Sequence, residues 1–298
     1  MSYNIICLGG NIMNELGFFD GEFINLTEAK ICLEDRGYQF GDGIYEATMV
    51  YNGHCFALER HLERCVRSLR ALQIPITYTN DELAAIHEDL ISKSGIKDGV
   101  IYFQITRATA PRQHFFPDKV IPHLSMTIRP TRLHTDWQEN GIAAIWVEDI
   151  RWLRCDIKSL NLLGNVLAKQ KAHEKNVGEA IQFRKDTNLV TEGSSTNFFI
   201  VKDGIIWTHP TDNLILKGIT RSILLEECVP KLGLTVVEKA FTPEFALTAA
   251  EAFVTSTSLE VTPVTSISGK TIGTGIPGKI TKDLQAAYKD LVAKTCHQ

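Results

Sequence analysis

Three dipeptides, Asp20-Gly21, Asn52-Gly53 and Asp203-Gly204, each stand between two short apolar runs, in FFDGEFI, MVYNGHCF and TNFFIVKDGIIWTH. A tight hairpin turn needs positive φ at its central residues, which Asn, Asp and Gly tolerate best. Each pair therefore predicts two antiparallel strands joined by a short turn. GVIYFQITRAT, HLSMTIRP and IAAIWVEDIRW read as further strands, and EAFVTSTSLEVTPV as strand, polar turn, strand. Helical spacing intervenes. ERHLERCVRSLRAL puts Leu62, Val66, Leu69 and Leu72 on one face, and Ile280, Leu284, Ala287, Tyr288 and Leu291 share a face near the C-terminus. LKGITRSILLEECV reads as a turn entering a helix. Strands and helices mix without steady βαβ alternation, which argues for an α+β fold rather than a doubly wound sheet. Residues 130–141, PTRLHTDWQENG, show no clear period and carry polar punctuation. They suggest a linker, 131–141, between an N-terminal domain, 1–130, and a C-terminal domain, 142–298. The Gly-rich TSISGKTIGTGIPGK, within 265–279, yields no reading of its own.

Bulk properties exclude several function classes. With 44% hydrophobic and 22% charged residues, the chain has the composition of an ordinary soluble globular protein. A net charge of −4 without a long basic run gives no reason to expect nucleic acid or an anionic membrane as partner. MSYNIICLGGN lacks the pattern of a secretory signal, and no uncharged apolar run approaches the roughly 18 residues of a membrane helix. Seven cysteines, an odd number without repeated spacing, suggest a reducing compartment, hence the cytoplasm. His61 and Cys65 stand four apart, but no second pair with zinc-like spacing joins them, so a structural role is expected and no metal site.

DIKSLNLLGN, residues 156–165, places Lys158 just ahead of an apolar pattern, Leu160, Leu163, Leu167, Ala168 and Ala172. That spacing predicts an amphipathic helix facing a core, with Ser159 as its N-cap. A lysine there is ordinarily solvated, because lysines are seldom buried unless paired. Two further features give it a chemical setting. In LKGITRS, Gly218 permits a tight turn, and Ile219 and Thr220 begin a helix whose free amides suit a phosphate. The polar turn around Ser256 and Thr257 can add hydroxyl donors. In VTEGSSTNFF, Glu192 stands between Val190 and a strand, at a Gly-Ser-Ser turn. A lysine, a phosphate cradle and a carboxylate able to pair with a protonated ring nitrogen are together what pyridoxal phosphate requires. No P-loop or dinucleotide fingerprint is present.

The segments EDRGYQFGDGIYE, RATAPRQHFFP, EDIRWLRCDIKSLNLLGN, LVTEGSSTNFF, LKGITR and FVTSTSLEVTPV resemble the fold-type IV pyridoxal-phosphate aminotransferases, and within them the D-amino-acid (D-alanine) group. The resemblance implies a two-domain architecture with mixed sheets and packed helices. It makes Lys158 the Schiff-base lysine and Glu192 the partner of the pyridine nitrogen. It aligns Arg64, Ile219, Thr220 and Thr257 with phosphate contacts, and Tyr45, Arg112 and His114 with a trap for the substrate carboxylate. It further implies a homodimer in which one chain's Pro-Arg-Gln-His loop serves its neighbour's site. The expected reaction moves an amino group from a D-amino acid to a 2-oxo acid such as 2-oxoglutarate. Branched-chain L-aminotransferases and aminodeoxychorismate lyases share the lysine, the glutamate and the phosphate turn. The Pro-Arg-Gln-His run is what separates the D-amino-acid group from them. A catalytically silent scaffold on the same fold would be expected to lose Lys158 or Glu192, and both are present.

Overall fold

The computed structural model describes residues 16–296. The reading of the N-terminal segment, including Cys7, lies outside them. The first sheet contains β1 (Leu16–Phe19), β2 (Glu22–Asn25), β3 (Gly43–Tyr51), β4 (His54–Cys55), β5 (Gly99–Thr106) and β6 (His123–Pro130), in the order β2-β1-β6-β5-β3-β4. All its pairings are antiparallel. The second contains β7 (Ile142–Glu148), β8 (Glu179–Arg184), β9 (Leu189–Gly193), β10 (Asn197–Lys202), β11 (Ile205–Thr208), β12 (Thr235–Glu238), β13 (Glu251–Ser256), β14 (Glu260–Ile267) and β15 (Lys270–Thr271). Its order is β12-β11-β10-β13-β14-β7-β8-β9, with β15 against β14. Parallel pairs, β11 with β12, β14 with β7 and β7 with β8, make it mixed. The fold is α+β.

The three turn dipeptides act as their chemistry requires. Phe19 faces Glu22, Tyr51 faces His54 and Lys202 faces Ile205 across two-residue turns. Both turn residues are at positive φ in each: 45° and 104°, 50° and 84°, 52° and 74°. The helix Leu58–Ala71 buries Leu62 and Leu69 on the first sheet, and the helix Lys279–Cys296 buries Leu284, Ala287 and Tyr288. A shared core joins the two sheets. Met49, Tyr51 and Phe56 pack with Phe199, Phe253 and Val261 and with that last helix.

Within residues 131–141, Thr135–Asn140 is helical, and buried Gln138 donates to Glu260 at 2.9 Å. Two local readings need correction. The helix after Lys158 begins at Leu163, and its N-cap Leu162 makes no side-chain cap. Ser159 is instead bridged to Ile44 in extended conformation, because residues 158–160 are used up as an addition to the first sheet. Nor does the whole apolar stripe face the core. Ala168 and Ala172 are buried, but Leu163 and Leu167 are 72% and 46% exposed. The Gly-rich segment has a local job. Glu251 reaches the last helix and accepts from the amides of Ile280 and Thr281 at 3.0 and 2.8 Å. A Cβ at Gly278 would fall 2.0 Å from that carboxylate, so a larger residue there would have to push Glu251 off these amides.

Candidate active site

A cavity between the two sheets is lined by Tyr45, Arg64, Lys158, Glu192, Ile219, Thr220 and Thr257 among others. Seven of the site residues named from sequence thus converge from segments far apart in the chain. Lys158 is placed by β3. The free edge of β3 at Gly43–Tyr45 takes residues 158–160 as a short extra strand: Tyr45 N–H donates to the Lys158 carbonyl, and Leu160 N–H to the Gly43 carbonyl, both at 3.0 Å. The approach is close enough that a Cβ on Gly43 would meet Leu160 Cδ1 at 2.8 Å. The Lys158 ammonium, half-buried, lies 4.0 Å from the centre of the Tyr45 ring. A cation over that face is attracted by the ring's quadrupole, which fixes its direction into the cavity.

Glu192 stands one residue before the end of β9, with 5% exposure. Its carboxylate accepts from Arg151 Nη1 at 2.5 Å, from Asn197 Nδ2 at 2.9 Å and from the Leu216 amide at 3.2 Å. Burial pushes its pKa up, and the Arg151 guanidinium opposes that push. Arg151 is itself held from behind by both oxygens of Asp149, at 2.9 and 2.8 Å. Burial would raise the Asp149 carboxyl too, but its two bonds from Arg151 and one from Thr191 leave it below its ordinary value.

The opposite corner is cationic. A helical run starts at Ile219 after Gly218, and no side chain caps it. The first amides of such a run have no intrahelical acceptor and carry the positive end of the helix dipole. A Cβ on Gly218 would sit 2.1 Å from Asn197 Oδ1, so glycine here lets the helix start lie against the Glu192 network. Arg64 projects from the helix Leu58–Ala71 with 3% exposure. Its Nε and Nη2 donate to the two oxygens of Glu46 at 2.8 and 2.7 Å, and Nη1 donates to the Lys217 carbonyl at 3.0 Å. Glu46 is fully buried and also takes His61 Nδ1 at 2.9 Å. Burial alone would raise its carboxyl, yet Arg64 and His61 together hold it well below the usual range. Burial keeps His61 below its ordinary value, which favours the neutral ring with its proton on Nδ1. His61 is thus a buried hydrogen-bond donor, as its structural reading implied.

The Glu46–Arg64 pair makes a stability prediction. Glu46→Gln leaves Arg64 buried without its countercharge, which should cost about 3–5 kcal/mol in chemical denaturation. The linkage sign follows from the lowered carboxyl. Its contribution is complete above the unfolded glutamate value and is lost only as pH falls through the lower folded value. Acid denaturation of the wild type should therefore extend below the ordinary carboxylate range, and the variant should lose that component. Equal stability of the two proteins at pH 7 would rule out the pairing as described.

Arg112 and His114 do not line this cavity. Both are exposed, and both pack on Phe40: the Arg112 guanidinium lies 4.7 Å from its ring centre, and His114 tilts against it at 5.7 Å. Glu46, Arg151 and Asn197 are site residues that sequence reasoning did not pick out. Glu46 follows directly on Tyr45 and sits on the opposite face of β3, so strand alternation is the signal that could have paired it with the helix carrying Arg64.

The chain matches the family model described as amino-transferase class IV over residues 43–267, and it belongs to the class IV aminotransferases. It is 47% identical over 281 residues to the D-alanine aminotransferase of Staphylococcus haemolyticus, a match covering 92% of this chain and 97% of that one. Among solved structures, a branched-chain amino acid aminotransferase of Escherichia coli is similar with a TM-score of 0.88 at 26% identity, covering 93% of this chain and 94% of that one. The branched-chain aminotransferase of Thermobaculum terrenum, in its PLP-form, matches with a TM-score of 0.84 at 24% identity, covering 95% of each chain. Among the described residues, no helix is long and apolar enough to cross a membrane and no cluster could hold a metal ion.

Proposed function

We propose that this chain is a pyridoxal-phosphate-dependent D-amino acid aminotransferase of the D-alanine type, acting on a D-amino acid and a 2-oxo acid such as 2-oxoglutarate. One observation carries the reading: a single cavity gathers Lys158, Glu192 and an uncapped helix start. The donor set fits the cofactor. Arg64 and the amides of Ile219 and Thr220 suit a phosphate, with Thr257 beside them. The Thr255 hydroxyl is buried in the cavity wall without a hydrogen-bond partner. When bound, pyridoxal phosphate supplies an aldehyde to carry the amino group and a ring to accept electrons from the substrate α-carbon. Glu192, backed by the Arg151 guanidinium, would pair with a protonated ring nitrogen and keep the proton there. The Lys158 amine is the base that takes the substrate's α-proton. Tyr45 beneath it keeps that amine on one side of the cavity.

Arg112, His114 and Tyr45 bind the substrate carboxylate, the planar fork of Arg112 donating two bonds. Since Arg112 and His114 lie away from their own chain's cavity, they serve a second copy's site in a homodimer. The exposed apolar side chains Trp152, which lines the cavity, and Leu153, Leu163, Val166 and Leu167 are consistent with such a pairing. The cytoplasm is the fitting compartment, because all six described cysteines are free.

Two measurements test the reading. D-alanine and L-valine, assayed at equal concentration with 2-oxoglutarate, should give faster turnover with D-alanine. Faster L-valine turnover rejects the D-specific assignment and favours the branched-chain one. Arg112→Ala should lower kcat/KM for D-alanine about ten- to a hundredfold, the worth of one charge-assisted bond or a little more. D-amino acids of different side chain should suffer alike, because the carboxylate is common to all.

A further inference from the structure

The Pro111–His114 loop is exposed, but it is not loose. Beneath it, one oxygen of Asp42 accepts from Nε of both Arg36 and Arg107, each at 2.8 Å. Both guanidiniums are nearly buried, at 4% and 3% exposure. Each then reaches the loop in a different way. Arg36 Nη1 donates to the Gln113 carbonyl at 2.6 Å. Arg107 lies 3.6 Å from the centre of the Phe116 ring. Phe40 completes the support, taking Arg36 at 4.9 Å and Arg112 at 4.7 Å from its ring centre, with His114 against it. Backbone bonds add two staples, from Arg36 N–H to the Ala108 carbonyl at 2.9 Å and from Ala110 N–H to the Glu34 carbonyl at 3.2 Å. Ala108 sits at φ 131°, a costly conformation for alanine that persists only when its surroundings enforce it.

A solvated loop needs none of this. Two buried cations sharing one carboxylate are expensive to desolvate. Arg36 gives a remaining donor and its face to the loop and its support, whereas Arg107 gives Nη1 and Nη2 to the Gln73 and Leu72 carbonyls at 2.9 and 2.6 Å and offers Phe116 only its face. We propose that Arg36, Asp42 and Phe40 are positioning residues that preset the direction of the Arg112 guanidinium before a substrate carboxylate arrives. The proposal rests on the reading of Arg112 as the carboxylate trap. Phe40 offers its ring face to Arg112 and so restricts a long, otherwise freely rotating side chain. Arg36 fixes the backbone on the far side of Arg112 through Gln113. A preset guanidinium loses less rotational freedom when it closes on a carboxylate, so the benefit falls on substrate binding. The donor amino acid and the 2-oxo acceptor share that carboxylate, and both should feel its loss.

The test uses the full-length holoenzyme with D-alanine and 2-oxoglutarate. Phe40→Leu keeps apolar volume and removes the ring face, and Arg36→Lys keeps charge but not the fork. Each should raise KM for both substrates about three- to tenfold with little change in kcat, while cofactor affinity measured by absorbance titration stays at the wild-type value. In an Arg112→Ala background, Phe40→Leu should add nothing further, because its effect passes through Arg112. A purely structural role would instead lower the melting temperature and kcat together and would persist in that background. Normal KM in Arg112→Ala overturns the carboxylate reading and this proposal with it. Raised KM in Arg112→Ala, with normal KM or additive effects in Phe40→Leu, overturns the positioning role alone. If Arg36→Lys does not fold, the half-buried Phe40 decides the matter.

Discussion

Replacing Lys158 by alanine should abolish steady-state transamination, with a loss of about a thousandfold or more. The amine is asked to do two things. On the proposed reading it would make the covalent bond to the cofactor and would move the α-proton, a step for which positioned bases contribute roughly 10²–10⁴. No substitute stands ready. Tyr45 presents its ring to the amine. The other cations lining the cavity are guanidiniums engaged elsewhere, Arg64 by Glu46, Arg151 by Asp149 and Glu192, and Arg221 by Glu238. The phosphate corner is independent of Lys158, so the variant should still bind cofactor reversibly. The checks are a rate assay and borohydride reduction followed by peptide mapping. A lysine–cofactor adduct trapped in the alanine variant would place the covalent attachment elsewhere.

Glu192→Gln should fold, bind cofactor and turn over slowly, with kcat reduced on the order of a hundredfold and KM little changed. The amide keeps an acceptor for Asn197 and the Leu216 amide, so the local packing survives. It loses the negative charge that, on the proposed reading, would hold the ring nitrogen protonated. Preorganised electrostatic stabilisation of this kind is worth about 10²–10³ in kcat when one group is removed. A second consequence follows from Arg151. In the wild type its charge is shared between Asp149 and Glu192, while in the variant Asp149 alone balances it. The cofactor absorption should therefore titrate at a different pH in Glu192→Gln. Wild-type kcat together with an unshifted spectrum would reduce Glu192 to a turn residue.

The hairpins at Asp20-Gly21, Asn52-Gly53 and Asp203-Gly204, the strands that flank them and the two long amphipathic helices were legible because each depends on residues a few positions apart. Positive φ at a turn and a repeating apolar face are local properties. Lys158, Glu192 and the Gly218 turn suggested a cofactor setting only when taken together, and the longer blocks that carry the family resemblance assigned the roles proposed for them. Read alone, each was an ordinary lysine, glutamate or helix start. What tertiary structure decided lies in contacts that sequence spacing does not encode. Glu46 and Arg64 are 18 positions apart and Arg151 and Glu192 are 41 apart, yet each pair is buried and charge-matched. Glu251 caps a helix that begins about 30 residues later. Lys158 owes its place to the open edge of β3, and that same pairing moved the helix start from Ser159 to Leu163 and left Leu163 and Leu167 facing outward. Periodicity reports which face of an element is apolar. Whether that face meets a core, a cofactor or a second chain depends on what the rest of the fold brings against it.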